Sequence, residues 1–123
     1  MVDNQKIMVV DDDPNLTRSV TFILQKEGYQ VDVATNGEEA MAKIRQSKPS
    51  LIFLDVMMPK KNGYEVCQEI KGDAELSDIY IIMLTAKGQE RDKEKGLEMG
   101  ADEFISKPFS PKAIVERTKE ILR

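Results

Sequence analysis

The sequence contains no histidine and a single cysteine, Cys67. Without histidine, Ser-His-Asp and Cys-His nucleophilic machinery and histidine-ligated metals are excluded. Any chemistry must run on carboxylates, hydroxyls and lysine. One cysteine makes neither an internal disulfide nor a metal-binding pair. With Val66 and Ile70 at helical spacing beside it, Cys67 is expected in the core rather than as a reactive thiol. Long apolar runs are missing too: residues 80–84 are strand-sized, far short of the ~20 residues a membrane helix needs, so no membrane contact is expected. Met1, Val2, Asp3 and Asn4 lack the basic-then-apolar pattern of a secretory leader, and a cytoplasmic location is expected. Positive charge is not in excess either. With 18 basic and 22 acidic residues the net charge is −4, the wrong sign for direct contact with a nucleic-acid backbone. Protein partners are expected instead.

What is present alternates, strand-like then helix-like, five times over 123 residues, and residues 1–123 read as a single domain. Residues 6–10 form a β-branched apolar run of the kind covered on both faces in a parallel sheet. Asp13 and Pro14 then supply an N-cap and a proline at the first helical position, followed by Leu16, Val20, Ile23 and Leu24 on one face, and Gly28 ends the helix. Residues 30–34 read as a second strand. Asn36 and Glu39 have the spacing of a capping box, opening a helix with Ala40, Met41 and Ile44 inward. Residues 51–54 are a third strand, 55–63 a loop, 64–71 a short helix, and 79–84 a fourth strand, placed centrally because it is apolar throughout. A charged, lightly anchored helix is expected over residues 89–99. Residues 103–106 form the fifth strand, and Ser110 with Pro111 repeats the N-cap device before a helix with Ile114, Thr118, Ile121 and Leu122 on one face. Strict alternation with helical crossovers gives a parallel sheet with helices on both faces, whose ligands bind beyond the carboxyl ends of the strands.

Those ends carry Asp11 and Asp12, Asp55, Thr85 and Lys107. Singly each is ordinary, a turn aspartate, a strand-end threonine or a surface lysine; Asp13 is used up as a cap. Together they form a coherent chemistry. Carboxylates about 5 Å apart repel by about 3 kcal/mol at an effective dielectric near 20, so three of them invite a cation. Oxygen ligands without histidine or cysteine favour Mg²⁺ or Mn²⁺. A hard divalent ion and a lysine beside a carboxylate suit phosphoryl transfer, with Asp55 as nucleophile and the Thr85 hydroxyl as a donor to the bound phosphoryl group.

The chain resembles the receiver domain of two-component response regulators, in the stand-alone, chemotaxis-regulator-like form, from about Lys6 to Leu122. The resemblance rests on Val9, Val10, Asp11, Asp12, Asp13 and Pro14; on Leu54, Asp55, Val56, Met57, Met58 and Pro59 with Gly63; on Met83, Leu84, Thr85 and Ala86; on Gly100, Ala101 and Asp102; and on Lys107, Pro108 and Phe109. It implies a doubly wound, flavodoxin-like α/β fold with strand order 2-1-3-4-5. It implies that Asp55 accepts phosphate from a histidine of a partner kinase or phosphotransfer protein. It assigns Mg²⁺ to Asp12, Asp55 and the backbone carbonyl of Met57, with Asp11 acting through water, and the phosphoryl contact to Lys107, whose bond to Pro108 is expected to be cis. Thr85 and Phe104 match the switch positions; Met57 and Lys87 match those that tune the lifetime of the acyl phosphate. The output surface implied is that of the fourth helix, the fifth strand and the last helix, which would contact a downstream protein. The basic loop at Lys60, Lys61 and Asn62 is expected to bear on partner affinity.

The chain is thus expected to catalyse its own phosphorylation and dephosphorylation and not to turn over an external substrate. The alternatives are a phosphorelay intermediate and a small Mg²⁺-dependent aspartyl-phosphate phosphatase. The phosphatase needs a second aspartate two residues after its nucleophile, where this chain has Met57.

Overall fold

A computed structural model describes residues 5–56, 58, 61–86, 94–95 and 97–122. The apolar runs become β1 (Lys6–Val10), β2 (Gln30–Ala34), β3 (Leu51–Asp55), β4 (Tyr80–Ala86) and β5 (Glu103–Lys107); between and after them lie α1 (Pro14–Lys26), α2 (Gly37–Gln46), α3 (Gly63–Lys71) and α4 (Pro111–Leu122). All strand pairs are parallel and the order is β2-β1-β3-β4-β5, as the resemblance implied. β3 holds the middle position, with all five residues buried, and β4 lies between β3 and β5. The central placement expected of β4 is therefore corrected. A continuous apolar run reports two covered faces, which β3 and β4 share, and carries no information on rank within the sheet.

Alternate strand residues serve two cores. Ile7, Val9, Leu51, Phe53, Ile82 and Leu84 face Val20 and Leu24 of α1 and Ile114 and Leu122 of α4. Met8, Val10, Ile52, Leu54, Ile81 and Met83 face Ala40, Met41 and Ile44 of α2 and Val66, Cys67 and Ile70 of α3. Cys67 is fully buried, and burial pushes its thiol up to about 11, which suits a packing role.

The helix starts follow their caps. Asp13 accepts a hydrogen bond from Asn15 N at 2.9 Å with Pro14 at the first turn, and Ser110 Oγ accepts from Ala113 N at 3.1 Å. α1 gives way at Gly28, whose φ of +96° is costly for any residue with a Cβ. Asn36 accepts from Glu39 N at 2.9 Å as expected, but the Glu39 carboxylate turns to Thr35, taking its N–H at 2.7 Å and its hydroxyl at 3.0 Å. The reciprocal capping box forms instead between Asn62 and Glu65 at the start of α3. Of the helix expected over residues 89–99, Glu94, Lys95, Leu97 and Glu98 are helical, with Leu97 exposed and Met99 packed on the α3-side core; residues 87–93 and 96 lie outside the described residues. Among the described residues no helix is long and apolar enough to cross a membrane.

Candidate functional site

Because the strands are parallel and in register, they end together. Val10 pairs with Leu54, Asp55 with Leu84, and Ala86 with Lys107. The carboxyl edge of the sheet therefore gathers Asp11 and Asp12 after β1, Asp55 as the last residue of β3, Thr85 in β4 and Lys107 as the last residue of β5. One carboxylate oxygen from each of Asp11, Asp12 and Asp55 lies within 4.8 Å of the others. Asp11 and Asp55 are buried and Asp12 is exposed, so the cluster has a closed floor and an open side.

Lys107 reaches into this cluster. Its Nζ donates to Asp11 Oδ2 at 2.8 Å and to Asp55 Oδ1 at 3.3 Å. Partial burial pulls the Lys107 pKa down, but the bond to Asp11 and the charge of Asp55 outweigh it, and the ammonium is held above the ordinary lysine value. Asp11 is fixed from a second side, its Oδ1 accepting from Asp13 N at 2.9 Å while its own N–H donates to Ala34 O at 3.1 Å. Three carboxylates face one ammonium, which leaves two negative charges at the edge of a buried sheet. The oxygen-only donor set and that charge deficit fit a hard divalent cation such as Mg²⁺, with Asp11, Asp12 and Asp55 able to hold it. Met57 and Lys87, expected as metal carbonyl and lifetime positions, lie outside the described residues.

Thr85 is buried and pairs with Ser106, while Phe104 pairs with Met83. Thr85 and Phe104 thus occupy the same face of adjacent strands, two positions apart in register. Phe104 is half-buried against the α3-side core. The Lys107–Pro108 bond is cis.

Two features were invisible in the sequence. Lys107 bonds to Asp11 as well as to Asp55, a pairing across 96 positions with no local signature. Of the basic loop, Lys61 is bonded to Glu69 of α3 and Asn62 caps α3; Lys60 lies outside the described residues. An apolar recess of about 590 Å³ lies beside the site, lined by Leu16, Val20, Ile23, Pro108 and Phe109, with Lys107 at its wall.

Residues 7–119 match the family model described as the response regulator receiver domain. Over 119 residues the chain is 50% identical to a probable transcriptional regulator, ycf27, of Pyropia yezoensis, which covers 97% of this chain and 48% of that protein. It is 43% identical to the DNA-binding response regulator MtrA of Mycolicibacterium smegmatis, covering 97% of this chain and 51% of that one. The chain thus spans about half the length of these curated relatives. The chemotaxis response regulator CheY4 of Vibrio cholerae superposes with a TM-score of 0.90 at 30% identity, covering 98% of this chain and all of that one. Fold, strand order and sequence agree, and the chain belongs to the response regulator receiver domain family.

Proposed function

We propose that residues 1–123 act as one phosphoacceptor unit in which Asp55 takes a phosphoryl group from a phosphohistidine of a partner kinase or phosphotransfer protein. The observation that carries this reading is the position of Asp55: a buried carboxylate at a strand end, within 4.8 Å of two others and bonded to Lys107 at 3.3 Å. An Asp55 carboxylate oxygen bonds to phosphorus as the P–N bond to the donor imidazole breaks, and the imidazole nitrogen keeps the electron pair and takes up a proton. Asp12 and Asp55 would hold Mg²⁺ directly and Asp11 through water, and the ion would supply positive charge against the phosphoryl oxygens. Lys107 turns its ammonium to the phosphoryl group, and the Thr85 hydroxyl donates to it. Dephosphorylation is the attack of water on phosphorus with cleavage of the Asp55–phosphate bond, which releases inorganic phosphate and restores the carboxylate. Met57 and Lys87 tune that step.

The apolar recess beside Lys107 offers the phosphodonor protein a seat next to the acceptor. The Thr85–Phe104 face supports an output route: once Thr85 is drawn to the phosphoryl oxygens, Phe104 has room to turn inward, and the surface around β5 and α4 changes for a downstream protein. The names of the relatives favour transcription control. This domain would then govern a DNA-binding partner or neighbouring domain, while its own net charge of −4 keeps it from the nucleic-acid backbone. The expectation of no nucleic-acid partner is accordingly narrowed to these residues.

The test is intact-mass measurement after incubation with Mg²⁺ and acetyl phosphate. A gain of one phosphoryl group that disappears in Asp55→Asn supports the reading; no gain in the unaltered protein, or an undiminished gain in the variant, refutes it.

A further inference from the structure

Gly63 belongs to the motif around Asp55, yet it has no side chain to take part in any chemistry. It is the first residue of α3 and is buried against the end of β3, its N–H donating to Val56 O at 3.0 Å. A Cβ on Gly63 would stand 2.3 Å from Asp55 O and 3.0 Å from both Asp55 C and Val56 Cα. All three are backbone atoms, and the shortest separation is far inside van der Waals contact, so no side-chain rotation could relieve it. The φ of Gly63 lies outside the left-handed region, and its conformation alone does not call for glycine. The close approach of α3 to the Asp55 carbonyl does.

Neither side of that contact yields freely. Asp55 ends β3, the middle strand, where it pairs with Leu84, and the next amide, Val56 N, donates to Leu84 O at 3.2 Å. On the other side α3 is fixed by Val66, Cys67 and Ile70, all fully buried in the core. The Asp55–Val56 peptide is therefore clamped between β4 and the first residue of α3. The carboxylate of the same residue stands 3.3 Å from Lys107 and within 4.8 Å of those of Asp11 and Asp12. Displacing the peptide displaces that carboxylate through the shared Cα.

We propose that Gly63 is a positioning residue for the phosphoacceptor: by admitting α3 against the Asp55 carbonyl it fixes the Asp55 carboxylate opposite Lys107 and beside the other two carboxylates, and so sets both the rate of phosphoryl transfer and the affinity for Mg²⁺. This rests on the phosphoacceptor reading above. Gly63 acts only through Asp55.

The experiment compares the unaltered chain with Gly63→Ala and Val66→Ala, each under conditions where urea unfolding shows it fully folded. Val66 is buried in the same helix and supplies no atom to the carboxylate cluster, so its truncation loosens α3 without pressing on Asp55. Gly63→Ala is expected to slow phosphorylation by saturating acetyl phosphate about tenfold, and to weaken Mg²⁺ binding to the metal-free protein, measured by calorimetry, by about threefold or more. Val66→Ala should stay within about twofold of the unaltered chain in both. A folded Gly63→Ala variant that keeps its rate or its Mg²⁺ affinity overturns the proposal. An equal loss in Val66→Ala does so too, since α3 packing alone would then account for the effect. Should Gly63→Ala fail to fold, hydrogen exchange on the unaltered chain decides. Mg²⁺ should slow the Val56 and Gly63 amides more than those of residues 67–70, and equal or unaltered exchange overturns the proposal. An unaltered chain that takes up no phosphate refutes the phosphoacceptor reading, whereas one that takes it up alongside a normal Gly63→Ala variant refutes only the role of Gly63.

Discussion

Lys107 stands closer to Asp11, at 2.8 Å, than to Asp55, at 3.3 Å. It is the counter-ion of two buried carboxylates, and Asp11 has no solvent exposure with which to compensate its loss. Removing one partner of such a cluster leaves uncompensated buried charge, at a cost of about 3 kcal/mol. Lys107→Met should therefore destabilise the metal-free protein by about that amount and make it depend on Mg²⁺. Urea unfolding with and without Mg²⁺ checks this: the stabilisation by Mg²⁺ should be larger in the variant, and equal stabilisation would refute the counter-ion role.

The sheet was legible because each strand is a short apolar run ending at a polar group, and the site was legible because parallel strands end at one edge. What the sequence hid depends on distance along the chain or on competition between equivalent partners. Asn36 with Glu39 and Asn62 with Glu65 have the same spacing, yet only the second pair closes a full capping box, because Thr35 offers Glu39 both a backbone N–H and a hydroxyl. The bond from Lys61 to Glu69 left no mark in the sequence, because Lys61 precedes α3 while Glu69 lies within it. The rank of β4 in the sheet was misread because burial on both faces is common to every interior strand.

The Asn62 cap makes that contrast measurable. Its side chain accepts from Glu65 N at 3.0 Å while Glu65 returns a bond to Asn62 N at 3.1 Å. Asn62→Ala removes the first bond and leaves the backbone N–H that makes the second, so a loss of about 1 kcal/mol is expected in urea unfolding. A loss below a few tenths of a kcal/mol would show that the box contributes little to α3.

Lys71 closes the opposite end of α3. Its Nζ donates to Ile79 O at 2.7 Å, Ser77 O at 3.1 Å and Asp102 Oδ2 at 2.9 Å, and Asp102 Oδ2 also accepts from Ile81 N at 2.8 Å. One ammonium thus ties the last turn of α3 to the starts of β4 and β5. Lys71→Met keeps the apolar stem against Gly100 but leaves these acceptors without it, at a cost of about 2 kcal/mol. Hydrogen exchange should quicken at residues 79–81 and 101–104 more than in β1; uniform acceleration would mean that the lysine acts on global stability alone.

The pH dependence follows from the cluster at the start of β5. Glu103 accepts from Arg117 Nε at 2.5 Å and from Tyr80 Oη at 2.9 Å. The Arg117 hydrogen bonds, partly opposed by burial, hold the Glu103 carboxyl below its ordinary 4.5. A depressed carboxyl contributes stability that is fully present above its unfolded pKa and is lost as the pH falls through the folded one. Glu103→Gln should therefore cost about 1 kcal/mol at neutral pH, after allowance for the partial exposure of both partners. The gap between variant and unaltered chain should narrow once the pH drops below 4.5. Urea unfolding across that range gives the slope directly. A difference that stays constant on acidification would mean that Glu103 acts through packing and not through its charge.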